Sequence, residues 1–586
     1  MKKNKKGNGA FGTKAIFLLA MLAAALVFGL VLTGCPTSTG GGEKHLTYTV
    51  LYYNATLKPG IDTQLMLPYL MEVLDVGASD TVNFAAQVNF EWDLQNLKNG
   101  GAWAGPRETK RFWAKKGKSD SFEYANPGAL LKLSEPNTIA DFIRWGTDKF
   151  PADRYILVMM GHGAVWNPAY DKNDGWAAPS PGPVRANISS YGSEGALKPL
   201  GSSVFDDNIT GQPGISSFAL AEGIKRAGKK IDMVYHHACL QNMLENLCEL
   251  QVTGLVNYVL AAGHNTSSVG GDYGSLLNFL NTGADLEEVI SQYCWYNVKH
   301  MEVSTGQSEL IFTDLRKLDP VLASIKKIVD VFTAIQGLES LLTLPVKTDR
   351  ETSGVYFYDA QVNPFSGIPE LDPANWISAD INSYIQHMNA VLNYYAISST
   401  GTPLSAYSTD LLKAINAAIV WGEDTSSIPI YTTFAVTVMP KDMYTAIPGY
   451  STYYPRTAFD KATNWSKWLS SDKNMAVHRI IQSWSFEGLV KYAATENVLV
   501  VTDTNITANS KVEPAKLKVG STALSFGVNY LEANVVNGAV IIRLGGTTPL
   551  STITVGSTTV DILAGFVTTN KQSNTARTGI TIGAYP

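Results

Sequence analysis

The chain reads as an α/β protein: a mainly parallel, doubly wound sheet with helices on both faces, followed by a small all-β C-terminal region. Three observations predict this. Apolar runs of strand length alternate with helically spaced apolar residues from about residue 46 to 300, the pattern of strand–helix–strand crossovers. Beyond about 487, β-branched residues and Gly dominate, and Val519-Gly520-Ser521-Thr522 recurs as Val555-Gly556-Ser557-Thr558, which suits a small β-sandwich or barrel. A composition of 45% hydrophobic and 17% charged residues over 586 positions supports large buried cores in two or three domains.

Residues 1–34 stand apart. Lys2, Lys3, Lys5, Lys6 and Lys14 form a basic stretch ahead of the apolar segment Ala15 to Leu32, the layout of a signal peptide. The ending Leu32-Thr33-Gly34-Cys35 resembles the lipobox of bacterial lipoproteins. That resemblance implies cleavage, lipid on Cys35, a Ser/Thr/Gly-rich tether over 35–45 and a protein held at the membrane of the cell envelope, periplasmic or surface-exposed. The competing reading of the apolar segment is a transmembrane anchor. Losing the leader removes five lysines and no acids, so the net charge falls from −5 to −10. No basic excess remains for nucleic acid. Cys239, Cys248 and Cys294 then remain, an odd number that argues against a full disulfide framework.

The elements follow in order. Thr47 to Tyr53 is a first strand, Asp62 to Val76 a helix with Pro68 near its start, and Thr81 to Phe90 a second strand. Residues 91–135 form a hairpin-like excursion. Thr138 to Asp141 has capping-box spacing and opens a helix that Pro151 stops. The apolar strand to Met160 comes next, then a long Gly/Pro/Ser/Asn stretch from Ala164 to Asp207. Ser216 or Ser217 caps a helix ending at Gly228, and the strand from Ile231 leads to Cys239, where a further helix begins at once. Val256 to Ala262 is another strand before the turn Gly263 to Gly274. Residues 301–486 carry helices over 320–335, 381–395 and 410–421, one apolar strand from Ile428 to Val438, a Tyr-rich loop and a helix bearing Trp465 and Trp468. Residues 487–586 form the β-sandwich-like end.

Two apolar strands stop at residues able to move protons or attack carbon: Tyr155 to Gly163 (YILVMMGHG) and Ile231 to Cys239 (IDMVYHHAC). Parallel strands would bring His162 and Cys239 to one carboxyl edge, where sites of open α/β sheets collect. A thiolate nucleophile, an imidazole near its working pKa and a glycine that admits backbone N–H groups make a peptidase dyad. At the positive end of a helix, Cys239 would favour its thiolate. By residue type alone, the same pair reads equally as a buried small hydrophobe and a loop histidine.

Phe142 to Gly146, Phe150 to Tyr155, Gly161-His162-Gly163 and Trp166, with Asp206-Asp207, Ile231-Asp232, Ala238-Cys239-Leu240 and Glu245, resemble the clostripain family of caspase-like cysteine peptidases. The likeness extends to Ile428-Pro429-Ile430-Tyr431 and Trp465. It implies a caspase-like fold with the catalytic domain over 46–300 and a C-terminal extension over 301–486. It further implies His162 as general acid/base, Cys239 as nucleophile, an oxyanion hole from the N–H groups of Gly163 and Cys239, and a peptide substrate. The family cleaves after basic residues, is often matured by cleavage between its catalytic segments (here near Arg185 and Lys198), and has calcium-dependent members. The acids Asp206, Asp207 and Asp272 are the calcium candidates; no other metal or cofactor is expected. The chain departs from the family at its specificity positions: His237 stands where a carboxylate usually pairs with the substrate arginine, beside His236, and Ala261-Ala262-Gly263-His264 replaces the Ala-Ser-acid run. His237, Ala262 and Gly263 are therefore the candidate substrate-binding residues; an acidic or neutral side chain before the scissile bond is one option, since His237 could become cationic, and the equal alternative is that His236 and His237 only pack or bond locally. A member of this fold that has lost catalysis and serves as a surface binding or scaffolding module is the alternative.

Overall fold

The computed structural model describes most of residues 45–342 and 404–483, apart from 55–60, 91–107, 126, 128–129, 162, 164–165, 167–214, 240, 264–270, 306–308, 425–433 and 447–449. Between 343 and 403 it describes short pieces, and beyond 483 the backbone of strands. The expected leader, Cys35 and the tether up to residue 44 lie outside the described residues, as do His162, Arg185, Lys198, Asp206, Asp207 and His264. Among the described residues no helix is long and apolar enough to cross a membrane.

The strands are β1 Tyr48–Asn54, β2 Val82–Phe90, β3 Glu108–Trp113, β4 Glu123–Ala125, β5 Arg154–Met160, β6 Ile231–His237, β7 Val256–Ala261 and β8 Glu309–Asp314. After them come β9 Gln361–Val362, β10 Ser378–Asp380, β11 Ile419–Asp424 and β12 Ala435–Thr437. The longer helices are α1 Ile61–Val76, α2 Pro136–Lys149, α3 Ser217–Ala227, α4 Leu244–Gln251, α5 Tyr273–Leu280, α6 Leu286–Thr305, α7 Asp319–Ala334 and α8 Leu404–Ala418.

One mixed sheet runs in the order β11-β8-β7-β6-β5-β1-β2-β3-β4. Its five central strands, β7-β6-β5-β1-β2, are parallel, and the pairs at both margins are antiparallel. The chain builds outward from the middle, β1 to β2 on one side and β5 to β6 to β7 on the other. Between β1 and β5 the winding reverses, and at such a reversal a crevice opens beyond the carboxyl ends of the strands. Side chains alternate along each strand into two cores. Leu51 and Tyr53 of β1 join α2, α3, α4, α7 and α8 on one face, while Tyr48, Val50 and Tyr52 join α1, α5 and α6 on the other. The doubly wound α/β class is the one expected. Its sheet also takes β8 and β11 from beyond residue 300, and the 91–135 excursion supplies the β3–β4 hairpin at one margin.

Local chemistry explains most boundaries and corrects several. Ser216 caps α3, its side chain accepting from the Ala219 N–H, and Gly228 ends it at φ 65°, a left-handed turn that suits glycine. Thr138 does not open α2. The helix starts two residues earlier at Pro136, whose fixed φ suits a first helical position and which has no N–H to satisfy. The helix expected to reach Trp421 stops at Ala418, and the β-branched Ile419-Val420 begins β11 instead. Beyond β12, strands between Leu489 and Thr581 form a six-stranded and a four-stranded sheet with antiparallel pairings. Val519 pairs with Thr522 and Val555 with Thr558, so the first and last residues of each copy of the repeat face one another in antiparallel strands.

Candidate active site

The site grows from the adjoining ends of β5 and β6. Their parallel register sets Met160 beside His237, and the Gly161 N–H donates to the His237 carbonyl at 3.2 Å, one bond past the last paired residue. The next described residue, Gly163, lies against the backbone of Cys239. A Cβ there would sit 1.7 Å from the Cys239 carbonyl oxygen and 2.6 Å from its amide nitrogen. Only glycine fits, because real Cβ atoms do not approach backbone so closely. Both neighbours of position 162 are thus tied to the end of β6.

Cys239 is part-buried, and it, Cys248 and Cys294 carry thiols rather than disulfides. The Gln241 amide Nε2 donates to the Cys239 carbonyl at 2.9 Å while its Oε1 accepts from Asn246 at 3.2 Å. The helix expected to start at Cys239 begins only at Leu244. In the interval the backbone pairs elsewhere: the Asn242 N–H donates to the Ala262 carbonyl at 2.8 Å, and the Ala435 N–H donates to the Asn242 carbonyl at 2.9 Å. The helix terminus therefore does not lie at the sulfur, and its dipole falls away within about one turn.

The specificity candidates lie at the ends of the neighbouring strands β6 and β7. Ala262 and Gly263 are buried at the end of β7, the Ala262 carbonyl tied to the chain just beyond Cys239. His237 points to the α1/α5 face. Its ring stacks on Tyr235 with centroids 5.8 Å apart, meets Tyr69 edge-on at 5.4 Å, and shares a 2.6 Å hydrogen bond between Nδ1 and the Tyr273 hydroxyl. Burial lowers its pKa to about 4, so the ring is neutral at neutral pH. His236 turns to the opposite face, buried, with neither ring nitrogen hydrogen-bonded among the described residues, and desolvation lowers it to about 3. Asp272, one of the calcium candidates, caps α5 by accepting from the Ser275 N–H at 2.7 Å. Among the described residues no cluster of three or more His, Cys, Asp or Glu is arranged to hold a metal ion.

A second layer holds the two loops from behind. Glu245, in the first turn of α4, is wholly buried; its Oε1 accepts from the Thr437 N–H at 2.9 Å and the Tyr454 hydroxyl at 2.6 Å. Burial raises its pKa, so the carboxyl tends to its neutral form. Trp166 is buried beside it, edge-on to Tyr450 at 5.4 Å and Tyr454 at 5.0 Å. Its N–H meets the Met243 Sδ at 3.0 Å, and its carbonyl accepts from the Tyr450 hydroxyl at 2.6 Å. Sequence reading set Glu245 and Trp166 inside matched segments without a task for either, and left Tyr450 and Tyr454 in a Tyr-rich loop. No local spacing pairs residues more than 200 positions apart.

No protein-family model matches the chain, and no curated protein matches it. Among solved structures, a secreted C11 cysteine protease from Bacteroides thetaiotaomicron, "iotapain", is 13% identical with a TM-score of 0.45, covering 72% of this chain and 100% of that one. An inactive zymogen C11 protease from Parabacteroides distasonis is 14% identical at a TM-score of 0.43, over 72% of this chain and 99% of that one. A clostripain from Bacteroides thetaiotaomicron bound to a peptide inhibitor is 14% identical at a TM-score of 0.29, over 43% and 95%.

Proposed function

We propose that the protein is an exported cysteine endopeptidase, lipid-anchored through Cys35 at the cell envelope. The observation that carries this reading is the contact between Gly163 and the Cys239 backbone, at the adjoining carboxyl ends of two parallel strands. In the mechanism, Cys239 Sγ attacks the scissile carbonyl carbon, and His162 takes up the thiol proton and delivers it to the leaving amine. Water then hydrolyses the acyl-enzyme with His162 as base. The N–H groups of Gly163 and Cys239 stabilise the oxyanion, a role that the close approach of the two backbones suits.

The S1 wall is assigned to His237, Ala262 and Gly263. With His237 neutral and bonded to Tyr273, no charge at that position faces a substrate guanidinium, and none faces a carboxylate. The preferred residue before the cut is therefore uncharged. The test is a peptide library varied at that residue, with Cys239→Ala as control and a peptide electrophile as label. Turnover and labelling of the native protein, both absent in the control, support the reading. Native protein that neither turns over nor labels Cys239 leaves the surface binding module as the better account. Retention in the membrane fraction, lost on Cys35→Ser, checks the anchor.

A further inference from the structure

The two loops that carry the proposed dyad touch each other directly through Gly163 and Cys239, and again through a second route running behind them. Trp166 lies three residues beyond Gly163, and its N–H meets Met243, four residues beyond Cys239. Tyr454 spans both sides: its ring packs edge-on against Trp166 at 5.0 Å, and its hydroxyl donates to Glu245 Oε1 at 2.6 Å. Tyr450, four positions earlier and therefore on the same side of the turn, packs against Trp166 and donates to its carbonyl at 2.6 Å. The platform beneath them is itself pinned to the same chain segment. Met243 bridges Ala435, the Thr437 N–H donates to Glu245, and Trp465 Nε1 donates to the Thr437 carbonyl at 2.7 Å. All these groups are buried, so each bond is made in a medium where losing it is costly.

We infer that Tyr450 and Tyr454 are positioning residues for the reaction. They tie the histidine-bearing loop, through Trp166, to the cysteine-bearing loop, through Glu245, and so set the spacing of Cys239 from the loop around position 162. The inference rests on the peptidase reading for its catalytic consequence and on the geometry alone for the tie itself. The tie comes from residues 434–465, so the segment beyond residue 300 completes the site rather than merely covering it. A displacement of about 1 Å between reacting groups costs about a hundredfold in rate, whereas substrate contacts at the S1 wall are untouched. The expected signature is therefore a fall in kcat with little change in KM.

The test uses the full chain carrying Tyr450→Phe, Tyr454→Phe, or the two together, each keeping the ring and removing only the hydroxyl. Trp166→Phe serves as a second route should the double variant fold poorly. Two readouts are taken: steady-state kinetics on a peptide cleaved by the native protein, and hydrogen exchange of peptides spanning 161–166 and 239–243, compared with those from β1 and β2. The result expected is a kcat lowered about tenfold to a hundredfold, KM within about twofold, and faster exchange in both loops with the β1 and β2 peptides unchanged. Unchanged exchange in either loop overturns the tie. Loosened loops with native kcat overturn the positioning role. If the native protein neither turns over nor labels at Cys239, the peptidase reading fails, and the exchange comparison alone decides the tie.

Discussion

A methyl group on Gly163 would lie 1.7 Å from the Cys239 carbonyl oxygen, and that neighbour is backbone that cannot swing aside. Gly163→Ala is therefore expected to separate the two strand ends, costing about 1–3 kcal/mol of stability by the overpacking route. Turnover should fall by far more than the loss of folded protein explains. Melting curves and kinetics on the same sample check this, and a variant with native turnover would remove the contact from the mechanism. The paired histidines answer to pH. Burial lowers His237 to about 4 and His236 to about 3, while in the unfolded chain both titrate near 6.5. Between those values the unfolded state binds more protons, so stability falls as pH drops from about 6.5 towards 4. Each histidine then contributes a slope of about 1.4 kcal/mol per pH unit. His236→Phe should flatten one share of that slope in urea titrations from pH 7 to 4.5, without loss of stability at pH 7, since it removes two buried nitrogens that have no partner among the described residues. An unchanged slope would mean that His236 charges freely in the native state.

At the scale of elements, the joint between β6 and α4 shows which features a sequence displays. The ends of β5 and β6 are legible because an apolar run stops abruptly at Gly-His-Gly or Ala-Cys, and period-2 burial needs no distant information. Ser216 and Gly228 are legible for a similar reason, their capping chemistry being complete within four residues. The start of α4 is not. Leu240 to Met243 carries apolar residues at helical spacing, yet Asn242 gives its N–H to Ala262 and its carbonyl to Ala435, which lies 193 positions away. Tertiary pairing there overrides local propensity. Glu245 belongs to the same class, an acid whose partners, Thr437 and Tyr454, arrive from the far end of the fold. Because burial favours its neutral form, Glu245→Gln should cost less than Glu245→Ala. The alanine variant leaves a buried N–H and a buried hydroxyl without an acceptor, a loss of about 2–5 kcal/mol. Denaturant melts compare the two, and equal losses would indicate that the native carboxyl is ionised.

Across the whole molecule, the two cores do not respect the division at residue 300 that the motifs suggested. The core beneath α2 and α3 also takes Ile311 from β8, Ile325 and Phe332 from α7, Ile415 from α8, and Trp465 and Trp468 beyond them. A chain cut at 300 would expose the β7 edge, whose N–H and C=O groups pair with β8 in the intact sheet. It would also leave half of one core without its cover. A fragment of residues 46–300 is therefore expected to expose apolar surface and melt without a cooperative transition, by calorimetry and dye binding. Residues 46–486 keep every described member of both cores, which extend no further than Val477, and should melt cooperatively with turnover retained. The opposite pattern, a stable active 46–300 fragment, would mean that the tyrosines behind the proposed dyad are ornaments on a site already complete. Loss of folding in 46–486 would instead assign the strands beyond Leu489 a structural share through β11, the margin of the sheet. The comparison thus measures directly how much of the proposed active geometry is imposed from outside the segment that carries Cys239.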